Sequence, residues 1–129
     1  MMMTLTNNEI YVYANALSEQ FGNNSDIKLP LKVNFYLQKN MTELVSLAQD
    51  IEKQRMEIAS EFGKLNEESQ QYEIPDANIN AAQNKLNELF NLTQEVKIYK
   101  VKLDAFGDID LTSAQLQALL FMIDEEEED

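Results

Sequence analysis

The chain has no cysteine, no histidine and no tryptophan, and Arg55 is its single arginine. Each absence excludes something. Without cysteine there are no disulfides, thiol nucleophiles or structural zinc sites, so a disulfide-stapled secreted module is ruled out. Without histidine the commonest general acid–base and the commonest neutral metal ligand are missing. The three glycines, Gly22, Gly63 and Gly107, stand far apart, so no glycine-rich loop is available to cradle phosphate. No positively charged apolar signal segment opens the sequence, and no apolar run approaches the roughly 20 residues of a membrane span. A cytoplasmic, membrane-free protein is expected.

What is abundant is acid. The 129 residues carry 23 Asp and Glu against 10 Lys and Arg, a net charge of −13. Phosphate recognition needs an excess of lysine and arginine, so direct nucleic-acid binding is not expected. Residues 124–129 are wholly acidic and are expected to form a flexible tail on a single helical domain spanning 1–123. The acidity keeps a protein soluble through self-repulsion, and it also suits docking on a basic partner.

A seven-residue repeat of aliphatics, Leu37, Leu44, Ile51, Ile58 and Leu65, predicts one helix over about residues 30–64, roughly 50 Å long. The neighbouring columns refine this. Asn40, Gln54 and Glu61 break the second zipper column, while Met41, Ala48 and Phe62 widen the apolar face on its other side. A broad face of this kind belongs to a small bundle rather than a two-chain zipper. Pro30 suits the first turn.

Shorter helices are expected around it. Thr6 and Glu9 form a capping box ahead of Ile10, Tyr13, Ala14, Leu17 and Phe21, predicting a helix over about 7–21 that covers the N-terminal half of the long helix. Residues 1–5 read as a loose start and 23–26 as a loop. A third helix over about 77–93 is expected to fold back antiparallel on the other half. Thr112 and Gln115 cap a last helix ending near Ile123, with Leu116, Leu119, Leu120 and Ile123 on its buried side. Between these lie residues 95–103, where β-favouring Val96, Ile98, Tyr99, Val101 and Leu103 are interrupted by lysines at 97, 100 and 102, a strand with a face switch after Ile98. A lone strand is unstable, so residues 72–74 are its expected mate. The fold class is therefore mainly α: a long central helix, shorter antiparallel helices and a small two-stranded β element.

No cluster amounts to a chemical signature. Asp108 and Asp110 imitate the start of a calcium loop, but Ser113 stands where glycine is required and Leu119 where glutamate is required. No enzymatic activity, cofactor or metal is expected. The candidate contacts for a partner are Glu43, Asp50 and Glu57, an acidic column at one flank of the long helix, with Phe35 and Met56 on the side away from the aliphatic stripe. Phe35 is expected to pack under the first helix and Met56 to be exposed. Glu52 has Arg55 three residues on, so part of this charge is neutralised locally.

Four segments together resemble small bacteriophage and prophage proteins of unassigned function, common in phages of low-GC bacteria. They are residues 6–17 (TNNEIYVYANAL), 29–40 (LPLKVNFYLQKN), 95–106 (EVKIYKVKLDAF) and 111–124 (LTSAQLQALLFMID). In that group a short helix leads through an LP-x-K-like turn into a long charged helix, followed by a lysine-rich strand and a short terminal helix. The resemblance implies no catalytic residues. It implies a phage-encoded protein in the bacterial host cell, and the charge of −13 with the acidic column leads to the expectation of a regulatory or anti-defence protein that binds a basic host surface. The alternative is a structural or assembly protein that forms homo-oligomers through the long helix or the strand.

Overall fold

The computed structural model describes residues 1–22 and 27–124. The expected loop at 23–26 and the acidic residues 125–129 lie outside the described residues. The architecture is mainly α. A strand β1 (Met2–Thr6) leads into α1 (Asn7–Phe21), then the long α2 (Leu31–Phe62). A hairpin of β2 (Lys64–Asn66) and β3 (Gln71–Glu73) precedes α3 (Asp76–Asn91). Strands β4 (Thr93–Lys97) and β5 (Val101–Lys102), helix α4 (Ser113–Leu119) and strand β6 (Ile123–Asp124) complete it. No helix among the described residues is long and apolar enough to cross a membrane.

The start of α1 follows from its capping box. Thr6 Oγ1 accepts from the Glu9 amide at 3.0 Å while the Glu9 carboxylate accepts from the Thr6 amide at 2.9 Å. Thr112 and Gln115 repeat the arrangement at α4. Helix α2 begins directly after Pro30 and ends at Gly63, whose lack of a side chain is required by packing. A Cβ there would lie 2.6 Å from the Glu73 carbonyl oxygen across the hairpin. Val33, Leu37, Asn40, Leu44, Ala48 and Ile51 form the buried stripe of α2. Helix α1 runs antiparallel along it: Tyr11 reaches Glu52, and Phe21 borders Leu37. Helix α3 also runs antiparallel, its Asn78 Nδ2 donating to the Phe62 carbonyl at the end of α2.

The β pairing differs from expectation. Residues 1–5 are not loose. Strand β1 pairs antiparallel with β4, Met3 opposite Val96, and the Met1 carbonyl accepts from Ile98 N–H at 2.8 Å. Leu5 and Val96 are thereby buried. Residues 72–74 do not pair with the lysine-rich strand. Strand β3 pairs with β2, Leu65 opposite Tyr72. A short turn closes that hairpin: Asn66 Oδ1 accepts from the amides of Glu68 and Ser69, and its Nδ2 reaches Glu73. Local hydrogen bonding therefore outcompetes the distant strand for Tyr72. Leu65, the fifth member of the heptad series, consequently leaves the helix and is 46% exposed.

The C-terminal element also differs. After Leu119 the chain tightens into a 3₁₀ turn (Leu120–Met122) and then pairs parallel with β5, Ile123 opposite Val101. The tighter turn rotates the buried side, so Phe121, Met122 and Ile123 join Leu119 in the core and Leu120 faces outward; Leu116, earlier in α4, is exposed as well. Asp124, the first residue of the expected acidic tail, belongs instead to β6. The core lies where α1, the first two-thirds of α2, the β1–β4 ribbon and the chain around α4 meet. Tyr13 of α1 stacks on Phe121 with ring centroids 4.9 Å apart.

Candidate binding cleft

One buried polar residue organises the surface above the core. Asn40 is fully buried on α2. Its Oδ1 accepts from the Tyr99 amide at 2.8 Å and its Nδ2 donates to the Tyr99 carbonyl at 2.9 Å, with Met122 Sδ at 3.4 Å. The residues between β4 and β5 form no ladder with a neighbouring strand at Tyr99, so the Asn40 amide supplies both partners that a strand would have given. This clamps residues 96–103 against residues 27–42.

Those two segments share a property that neither shows alone. Lys28, Lys32 and Lys39 lie in the first, Lys97, Lys100 and Lys102 in the second, and neither contains an acidic residue. Six of the ten cations of an acidic protein are therefore carried by two segments that the fold joins. At their junction lies an open cleft of about 470 Å³ lined by Phe35, Gln38, Lys39, Thr42, Glu43, Lys97 and Tyr99. The Lys39 ammonium sits 5.1 Å from the Phe35 ring centroid and 5.2 Å from that of Tyr99. Lys97 approaches the Tyr99 ring at 5.1 Å. Tyr36 stacks behind Tyr99 at 5.6 Å, with Lys32 at 5.9 Å from its ring. These are cation–π distances, and they hold the lysine side chains across the aromatic faces.

Of the five residues singled out from sequence, Phe35 and Glu43 line this cleft and the other three do not. Phe35 does not pack under α1. It is 55% exposed, beside Tyr36 and Lys39, because its helical position points away from the stripe that α1 covers. Met56 is exposed, its sulfur 3.5 Å from Arg55 Nη2. Glu43, Asp50 and Glu57 are all exposed along one flank of α2. Glu57 also borders a second groove of about 270 Å³ with Glu61, Lys85 and Glu88. Among the described residues none of the three carboxylates makes an ion pair, and no group of carboxylates is arranged to hold a metal.

Glu52 is different. Its carboxylate takes a two-pronged contact from the Arg55 guanidinium and a 3.1 Å hydrogen bond from the Tyr11 hydroxyl. The Arg55 hydrogen bonds hold the Glu52 carboxyl below its usual range, and the bond to Glu52, with burial, pushes the Tyr11 hydroxyl above its own. This cluster ties α1 to α2.

Lys39, Lys97 and Tyr99 are absent from the residues singled out by sequence. The signal that marks them is the lack of acids in residues 27–42 and 96–103 within so acidic a chain. No protein-family model, curated protein or solved structure matches this chain.

Proposed function

We propose that this is a non-catalytic, protein-binding protein of bacteriophage or prophage origin. It works in the cytoplasm of the bacterial host as a regulatory or anti-defence protein, and its acidic flank docks on a basic host surface. The observation that carries this reading is the exposed column of Glu43, Asp50 and Glu57. It spans roughly 21 Å of a rigid helix. None of its members makes an ion pair among the described residues, so its charge is available to a partner. The fold supplies the stiffness, since α2 is braced by α1 on one half and α3 on the other.

The test is capture of host proteins by the purified chain at low and high salt, beside the variant Glu43→Gln/Asp50→Asn/Glu57→Gln. A partner held through the flank is recovered at low salt and lost both at high salt and from the variant. Recovery indifferent to salt and to the three substitutions overturns the reading.

The second reading, an assembly protein, is favoured by one observation. The β1–β4 ribbon is two-stranded, so each of its strands has one strand neighbour among the described residues. A free edge of this kind can pair with another copy. Light scattering that shows a strict monomer at high concentration sinks it.

A further inference from the structure

The acidic flank is not the surface with the most structure built into it. The cleft at Phe35 and Tyr99 presents the opposite charge, and its chemistry asks for a different partner. We propose that this cleft binds an acidic peptide segment of a partner protein, whose carboxylates bridge Lys39 and Lys97.

Three observations support it. First, the Tyr99 ring holds two ammonium groups, Lys39 at 5.2 Å and Lys97 at 5.1 Å, and neither makes an ion pair among the described residues. Two like charges brought to one ring repel each other, and an anion placed between them relieves the repulsion. Second, the rings of Phe35 and Tyr99 bias the Lys39 stem toward the cleft before any ligand arrives, which lowers the entropy lost on binding. Third, the cleft of about 470 Å³ is the size of a few side chains.

The same features select against nucleic acid. Glu43 stands on the cleft wall, and the acidic flank of α2 continues from it. A polynucleotide long enough to bind would run its phosphates along that flank. A short peptide need not. Its carboxylates meet Lys39 and Lys97, an apolar side chain lies against Phe35, and Glu43 can accept from a peptide N–H. The net charge of −13 does not forbid the approach, because beyond about 8 Å at physiological salt the distant carboxylates are screened and the local lysines dominate.

The experiment is fluorescence anisotropy with a labelled hexaglutamate peptide bearing one phenylalanine. It is titrated with the full chain and, in parallel, with a full-length variant whose residues 125–129 are neutralised to Gln and Asn. Both proteins should bind the peptide with similar affinity. Lys39→Gln and Lys97→Gln, both at exposed positions, should each weaken binding roughly tenfold or more, the loss expected for a charge-assisted contact. Phe35→Ala should weaken it too, while Asp50→Asn and Glu57→Gln should not. The last pair separates this proposal from the flank-binding one. No binding by either protein overturns the proposal. So does binding that appears only when residues 125–129 are neutralised, which assigns the cleft to the chain's own acidic end. Equal or tighter binding of a labelled oligothymidylate overturns it as well.

Discussion

Asn40 joins two distant segments through a single side chain. It interrupts an apolar column and is wholly buried, yet both ends of its amide are satisfied by one residue, Tyr99, 59 positions away. Replacing it by leucine removes both bonds and leaves the part-buried Tyr99 N–H and C=O without those partners. Each orphan costs about 1–3 kcal/mol, so Asn40→Leu should destabilise by about 2–4 kcal/mol in denaturant unfolding, despite the gain in hydrophobicity. It should also release Tyr99, so peptide binding at the cleft should fall in step. A second residue-scale prediction concerns Tyr11 and Glu52. The Glu52 carboxyl is lowered in the fold, so its contribution is present above the unfolded value of about 4.3 and is lost as pH falls through the folded value. The Tyr11 hydroxyl is raised, so its contribution is present below about 10 and is lost as pH rises through the folded value. Glu52→Gln should return the Tyr11 titration toward its ordinary range, read from its ring resonances. Because the cluster is partly exposed, the stability change should stay under about 1 kcal/mol.

At the scale of elements, what was legible in the sequence was what is encoded locally. The start of α1 at Asn7, the Pro30 entry to α2, the antiparallel return of α3 and the Thr112 cap all follow from side chains within a few residues of the feature. What was not legible was pairing over distance. Nothing near Met3 announces Val96, and nothing near Lys39 announces Tyr99. The candidate site divides the same way: Phe35 and Glu43 are found from the faces of one helix, whereas Lys39, Lys97 and Tyr99 become a site only when Asn40 joins two segments. The β1–β4 ribbon is the clearest test of such a non-local element. Leu5, 2% exposed, lies in what reads as a loose start. Leu5→Ala should cost about 2–4 kcal/mol, the range for a buried leucine, where a truly loose segment would tolerate it. Packing is also uneven between elements. Helix α3 has a single fully buried residue, Ala82, whereas α1 has five. Amides of α3 and of the β2–β3 hairpin should therefore exchange with solvent faster than those of α1, by opening as a local unit.

Across the whole molecule the charge is unevenly spread. Six lysines gather on two joined segments, with Glu43 on the cleft wall and Asp124 opposite Lys102, while the outer part of α2, the hairpin and α3 carry an acidic excess. Such a distribution explains how one small fold can offer surfaces of both signs, and it sets how the protein responds to salt. Two terms compete. Attraction between the lysines and the acidic remainder weakens with salt, and so does repulsion among the many carboxylates. The carboxylates outnumber the cations by 13, and the ion pair of Glu52 with Arg55 is partly exposed and therefore weak. Repulsion should win. Raising salt from a low value to physiological ionic strength, where the screening length falls to about 8 Å, should stabilise the fold. A gain of about 1 kcal/mol corresponds to a melting temperature roughly 3–6 °C higher for a chain of this size. Salt should at the same time weaken peptide binding at the Lys39–Lys97 cleft. Opposite responses in one titration, stability up and binding down, separate repulsion across the whole chain from attraction at one site. A melting temperature that falls with salt would mean that attraction between opposite charges, rather than repulsion among the carboxylates, dominates the electrostatics of the fold.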